Sequence, residues 1–409
     1  MTYPLQTTLG STQTDPYSHL VQRIMRIEDI TWGQEKQKFL VRYRGQISGE
    51  STEAYDRLAE SLRPLDVTPL FRIESGRHTV ILIKGVIKPK PANPWVNLIL
   101  IILTLLSVII VGTLINYAGP DTQEVSQIIP FLIPALKNGL AFALSLVAIL
   151  GTHEMGHYLA GRYHHTAVTL PYFLPFPLPP FGTLGAFIQL KEIPKNRRIL
   201  LDIGLAGPLA GLIVAIPILL IGLSLSKIDQ LPLILKSGEG LSLEGNSILY
   251  LLLKFLVFGQ WLPHPVNYGN LPAFLYWLRY FFTSSPIPYG GVDVIIHPMA
   301  YAGWAGLLVT SLNLIPAGQL DGGHLVYVLF GEKARKAIPF ILIALFGMGF
   351  IWPGWWLWAG LVFLFGRVYA EPLDTITQLD SRRKALAILG LIVFILVFTP
   401  VPLLGLLGS

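Results

Sequence analysis

The stretch that most constrains this chain is Ala148–Arg162, AILGTHEMGHYLAGR, because it joins two histidines and a glutamate to a run, Gly139–Gly151, without a single charge. His153 and His157 are four residues apart, so on a helix they stand one turn above the other on the same face. That spacing suits two imidazoles on one zinc ion. Glu154, beside the first histidine and not a ligand in this arrangement, is placed to take a proton from an attacking water. A solvated helix face carrying three polar residues by chance is the plainer reading. An ionisable cluster continuing an uncharged helix is costly, however, and points to function by default. The direct reading is a metalloprotease core.

The surrounding chain reads as an integral membrane protein. Of its 409 residues 52% are hydrophobic and only 13% charged, against about a quarter charged in soluble proteins. Residues 1–91 hold 13 Lys+Arg and 10 Asp+Glu, nearly half of all the charge, which marks a soluble N-terminal domain ahead of a membrane domain. The net charge of +6 comes without a dense basic run, so nucleic-acid binding is not expected. There is no cysteine, which excludes disulfides, thiolate ligands and a cysteine nucleophile. Any metal must be held by His and carboxylate.

Residues 1–18 read as a flexible tail rich in Thr, Gln, Ser and Pro, and the polar start is expected to stay on the side of synthesis. Residues 19–91 read as a small α+β domain of βαββ type, with a helix or extended arm over Tyr17–Ile30 and a strand over Lys38–Ile47. A helix follows at Ser51–Leu62, capped by Ser51 or Thr52, then strands at Thr68–Ser75 and Thr79–Ile87 about a Glu74–Arg77 turn. Its expected role is structural or partner-binding, with a cytoplasmic partner.

Residues 92–409 read as a polytopic α-helical membrane domain of about 7–9 segments. Trp95–Tyr117, 23 residues without a charge, is the first spanning helix, and Lys84, Lys88 and Lys90 set its start on the cytoplasmic side. After an outer turn at Asp121–Gln127, the chain returns through Ile128–Pro134 and Asn138–Gly161. Residues 168–192 are apolar but proline-rich, a membrane-dipping loop whose Gly182–Glu192 part resembles a strand with an open edge. Ile203–Ser226 is a further span carrying Gly204, Gly207 and Gly211, small residues that let helices approach. Asp202 at its mouth is expected to pair with Arg197 or Arg198. Lys227–His297 reads as a re-entrant or short hairpin. Met299–Ile315, a pair at Ala337–Ile351 and Trp355–Gly366, and a last helix at Ala385–Leu407 complete the domain. The basic loops bring His153, His157 and Asp321 to the same membrane face.

A catalytic zinc usually has three protein ligands and one open position. A local extension of the motif fails, since Ala160 and Tyr163 stand where a further glycine and histidine would be needed. Glu192 lies in a basic loop, where a solvated ion pair is the simpler role. Asp321, flanked by Gly318, Gly322 and Gly323, is favoured as third ligand over its neighbour His324.

The His153–His157 helix, the Gly207–Pro208 helix and the segment from Asn313–Pro316 to Leu320–Gly322 together resemble the three signatures of the site-2 protease family (peptidase M50) of intramembrane zinc metalloproteases. The resemblance covers about residues 95–370. The wording around His297–Gly303 and Gly318–His324 is similar to the cyanobacterial and plastid branch, related to the ethylene-dependent gravitropism-deficient and yellow-green proteases. The resemblance implies that His153, His157 and Asp321 bind zinc, that Glu154 is the general base, and that Asn313 binds the scissile peptide or its oxyanion. A capping or packing role for Asn313 stays open. It further implies regulated intramembrane proteolysis of membrane-protein substrates, single-pass or anchored regulators, in a plasma or thylakoid membrane, with the active site opening to the cytoplasmic side. The alternatives are a catalytically silent scaffold or chaperone of the same fold, against which the intact Glu154 argues, and a metal transporter. A transporter would need further polar residues through the membrane depth, and the first and last helices carry no charged residue.

Overall fold

The computed structural model describes residues 15–34, 38–86, 88–120, 124–235, 240–366 and 369–407. Residues 1–14 of the expected tail and 121–123 of the expected outer turn lie outside these. The chain divides into two compact units. One comprises Met1–Lys88 with Lys195–Arg197 and Pro372–Gln378, and the other holds the remainder.

In the first unit a single helical turn, α1 (Ser18–Val21), leads into β1 (Met25–Trp32), β2 (Val41–Ile47), α2 (Ser51–Leu62), β3 (Val67–Glu74) and β4 (Arg77–Lys84). The strands form one antiparallel sheet in the order β1-β2-β4-β3. The sheet thus has one strand more than the expected βαββ pattern, because the arm expected over Tyr17–Ile30 turns at Gln22–Ile24 and then pairs with β2. Alternating Val41, Tyr43, Val80 and Leu82 are buried, and Tyr55 and Leu58 of α2 cover them. Tyr55 meets Phe71 edge-on at 5.3 Å. Ser75 (φ 51°) and Gly76 (φ 79°) make the tight turn between β3 and β4.

The expected cap of α2 is not formed by Ser51 or Thr52. The N-cap position is Glu50, whose side chain does not cap the helix. Ser51 and Thr52 instead share Thr377 Oγ1, at 2.7 and 3.1 Å, because residues 372–378 run along this unit. Phe71 N–H donates to Leu373 O and Thr375 N–H to Phe71 O, so the outer edge of β3 is covered by the chain itself.

The second unit begins with α3 (Pro94–Ile115), whose Asn93 side chain accepts from Trp95 N. Ile99, Leu103, Leu106 and Ile110 form a row of exposed apolar side chains on it, the face a lipid-contacting helix presents. Next comes α4 (Val125–Tyr163), a single helix of 39 residues. It runs through Pro130 and Pro134, where an interruption was expected. In the absence of water an unpaired carbonyl costs more than a kink, which favours keeping the remaining backbone bonds. A hairpin of β5 (Tyr172–Pro175) and β6 (Thr183–Phe187) leads to α5 (Arg197–Ser224). α3, α4 and α5 are long and apolar enough to cross a membrane.

Then follow β7 (Lys227–Gln230), β8 (Gly240–Glu244), α6 (Ile248–Phe258), α7 (Ala273–Thr283) and β9 (Val292–Ile295). They lead to α8 (Pro298–Asn313), α9 (Asp321–Phe330), α10 (Ile338–Met348), α11 (Gly354–Phe365), α12 (Ser381–Val397) and β10 (Leu403–Leu407). The expected terminal helix therefore stops at Val397. Pro400 and Pro402 cannot continue it, and the last residues pair antiparallel with β8. Among the described residues the helices after α5 are 10–17 residues long. Buried Leu146, Ile149, Leu212, Leu219, Trp304 and Leu307 pack α4, α5 and α8 into one core.

Candidate metal centre

The site is built where α4, α5 and the α8–α9 loop meet. His153, Glu154 and His157 lie late in α4 and are buried, at 3%, 5% and 6% exposure. Both histidines face α5, and the sequence makes room for them with glycines. A Cβ built at Gly207 would stand 2.0 Å from His157 Nε2, and one at Gly211 would stand 3.1 Å from His153 Nδ1. Gly156 lies so close to the Ala206 carbonyl that α4 and α5 touch backbone to backbone. The glycines expected to let helices approach are thus also the space that two imidazole rings occupy.

His157 Nδ1 lies 2.7 Å from the carbonyl oxygen of Ile203 on α5. That carbonyl can only accept, so Nδ1 carries a proton, and Nε2 is the nitrogen whose lone pair the neutral ring offers to a metal. Asp321 arrives as the first residue of α9. Its approach depends on the loop before it: Gly318 has φ +56°, and Gly322 and Gly323 leave no room for side chains against the carbonyls of Leu314 and Gly318.

Three acceptor atoms then converge. His153 Nε2 and His157 Nε2 are 3.3 Å apart, and each is 3.4 Å from Asp321 Oδ2. Three ligands about 2.0–2.1 Å from a tetrahedral zinc would stand about 3.3 Å from one another. The triangle has the edge length of such a tetrahedron's face, and its fourth vertex is free of protein ligands among the described residues. The donor set fits a divalent cation, and this trio is the one grouping of three such ligands among the described residues.

The structure brings Glu154 and Asn313 to the same place. The backbone amide of Ile188, just after β6, lies against the Glu154 carboxylate. Asn313, at the end of α8, has Nδ2 3.3 Å from His153 Nε2. His324 and Glu192 do not join the triangle. His324 is buried beside Gly204, and Glu192 accepts from the backbone N–H of Ala167 at 3.1 Å.

Asp202, expected beside Arg197 or Arg198, is gripped from elsewhere. Arg383 of α12 donates to it through Nε (2.9 Å) and Nη2 (2.7 Å), and His164 Nε2 at the end of α4 is 2.9 Å away. Asp380 accepts from Arg383 Nη1 at 2.7 Å and caps α12. These contacts staple the ends of α4, α5 and α12 one residue from Ile203, whose carbonyl orients His157. Arg383 and His164 carried no local signal, since they lie 181 and 38 residues from Asp202.

Comparison with known proteins agrees with this geometry. Residues 141–351 match the profile described as peptidase family M50. The chain is 27% identical over 394 residues to "Probable zinc metalloprotease EGY1, chloroplastic" of Oryza sativa subsp. japonica, covering 89% of this chain and 62% of that protein. The Arabidopsis thaliana protein of the same name is 27% identical over 388 residues, covering 88% and 66%. "Probable zinc metalloprotease EGY2, chloroplastic" of Oryza sativa subsp. indica is 30% identical over 269 residues, covering 65% and 44%. The chain spans less than two thirds of the length of these relatives. No solved structure matches.

Proposed function

The chain belongs to peptidase family M50, and we propose that it is a zinc endopeptidase that hydrolyses peptide bonds in or beside transmembrane segments of membrane proteins. The observation that carries this reading is the 3.3–3.4 Å triangle of His153, His157 and Asp321 with Glu154 next to it. Zinc held by these three residues would supply Lewis acidity, polarising a peptide carbonyl and making water acidic enough to react near neutral pH. Glu154 takes the proton from the attacking water and passes it to the leaving amide nitrogen. The Asn313 side-chain amide, close to His153, is positioned to donate to the oxygen of the scissile carbonyl as it gains charge.

An intact helix keeps its carbonyls paired, so the substrate must unwind locally before it can react. β6 pairs with β5 on one side, and an unwound segment adding to its other edge would run towards Ile188 and Glu154. The substrates on this reading are single-pass or anchored regulators cut within the bilayer, in a multi-pass protein of a plastid, thylakoid or plasma membrane. The N-terminal unit and the site opening then belong to the cytoplasmic or equivalent side, with a soluble partner for the N-terminal unit.

The test uses purified full-length protein in lipid with a membrane-embedded reporter peptide. The wild type should hold one zinc and cleave, while Glu154→Gln should keep the zinc and lose cleavage by at least a hundredfold. Normal cleavage by Glu154→Gln would overturn the reading.

A further inference from the structure

A basic cleft lies between α3 and α4, apart from the His153–His157–Asp321 triangle. Where α3 begins and α4 ends there is a cleft of about 310 Å³, near the lower end of the roughly 300–1,000 Å³ of small-ligand sites. Lys90, Arg162 and Lys191 line it, together with Tyr158, Asn97 and Thr169. Among the described residues none of the three cations pairs with a carboxylate. The Lys191 ammonium instead donates to the backbone carbonyl of Lys90, which ties it to the chain segment that leads into α3. Three unpaired cations around one concavity repel each other, an arrangement favoured when an anion sits between them.

The surroundings say what kind of anion. Asn97 spends its side-chain N–H groups on the carbonyls of Leu170 and Pro171, tying the proline-rich loop to α3 and fixing the cleft wall. The two helices also carry exposed apolar side chains next in sequence to the lining, Trp95 after Pro94 and Leu159 after Tyr158, at 67% and 59% exposure. Trp95 opens a helix of membrane-spanning length, so the cleft lies at the level where headgroups meet acyl chains. A free anion would gain nothing from that apolar rim, whereas a lipid would use both parts.

We infer that this cleft binds the headgroup of an anionic membrane lipid, a phosphodiester or sulfonate, with its acyl chains along Trp95 and Leu159. Tyr158 and Arg162 stand one and five residues beyond His157 on α4, so the lipid braces the last turns of the helix that carries the metal ligands. The inference does not depend on the reading of the metal centre, and its readout is lipid retention rather than proteolysis.

The experiment is native mass spectrometry of the full-length protein in detergent, titrated with phosphatidylglycerol or with phosphatidylcholine. The wild type should retain one phosphatidylglycerol and no phosphatidylcholine at equal concentration. Arg162→Gln, Lys90→Gln and Lys191→Gln should each weaken retention roughly fivefold, in line with the attraction of one basic side chain near an anionic surface. Arg162→Lys, which keeps the charge, should restore most of it. Lys333→Gln with Lys336→Gln removes two cations outside the cleft and should change nothing, a control for overall charge and folding. Equal retention of both lipids, or equal loss in the Lys333/Lys336 variant and the cleft variants, would overturn the inference. Displacement of the lipid by millimolar inorganic phosphate would also overturn it, since the site would then serve a free anion.

Discussion

Replacing Gly207 by alanine tests the geometry of the metal centre most directly. Residue 207 lies inside α5 with ordinary helical geometry, so the change alone should favour the helix by about 1 kcal/mol. Against this, the new Cβ would stand 2.0 Å from His157 Nε2 and 2.4 Å from both ring carbons beside it. Carbon and nitrogen in ordinary contact are at least about 3.4 Å apart, so the ring must retreat by more than an ångström. It has nowhere to go. Its Nδ1 is held at 2.7 Å by the Ile203 carbonyl, and the Gly156–Ala206 contact keeps α4 and α5 from sliding. Metal–ligand distances tolerate only about 0.2 Å, so His157 is lost as a ligand or the helices part. Zinc affinity should fall by well over a hundredfold, beyond the 10–100-fold typical of losing an outer partner of a ligand. The assay is zinc content after equilibration with a series of chelators. Gly211→Ala, whose Cβ would be 3.1 Å from His153 Nδ1, should lose tenfold or less. Gly360→Ala, with open space around it, should lose nothing. If Gly207→Ala binds zinc as tightly as Gly360→Ala, the glycine face of α5 is not what accommodates the ligand ring.

Three further outcomes are expected. Asp321→Ala should lose zinc while His324→Ala keeps it, since only Asp321 joins the triangle; the reverse in a metal assay would exchange their roles. Arg383→Gln should lower stability, because Asp202 and Asp380 both lose the guanidinium, and Arg383→Lys should recover only part of the loss. The melting temperature reads both. The third concerns Glu244 of β8, which burial pushes up to about 7, while Tyr250 donates to it at 2.8 Å. The folded chain then holds a proton that the unfolded chain releases near pH 4.5, so this stability is complete below that value and is lost as pH rises to about 7. Glu244→Gln, which cannot titrate, should flatten the fall in melting temperature over that window; an unchanged slope would assign the pH dependence to other groups.

Local signals in the sequence were readable and distant pairings were not. The four-residue spacing of His153 and His157 fixes their common face by helix geometry alone, and the boundaries of α2 follow from a periodic apolar face between polar ends. Asp321 could be favoured over His324 only from its flanking glycines and the family resemblance, because what unites it with α4 is a fold-back over residues 314–323. Arg383 as a partner of Asp202 was hidden for the same reason: nearby arginines are visible in the sequence, whereas Arg383 depends on where α12 packs. Secondary structure at the C-terminus failed differently. Leu403–Leu407 is as apolar as a helix end, and only a partner strand, β8, decides that it is extended.

The division of labour among the helices explains why such a site can exist in an apolar core. α4 supplies two imidazoles, which as neutral metal ligands are less costly to bury than ions. The one anionic member, Asp321, stands in the first turn of α9, where the unpaired backbone N–H groups and the helix dipole favour a negative charge. α5 contributes no ligand; it contributes the absence of side chains at 207 and 211 and one carbonyl at 203. The cost of placing the Asp321 charge in that core is therefore offset in part by backbone. Substitutions that keep every polar residue but alter backbone access, at Gly207 above all, should then be as damaging as loss of a ligand.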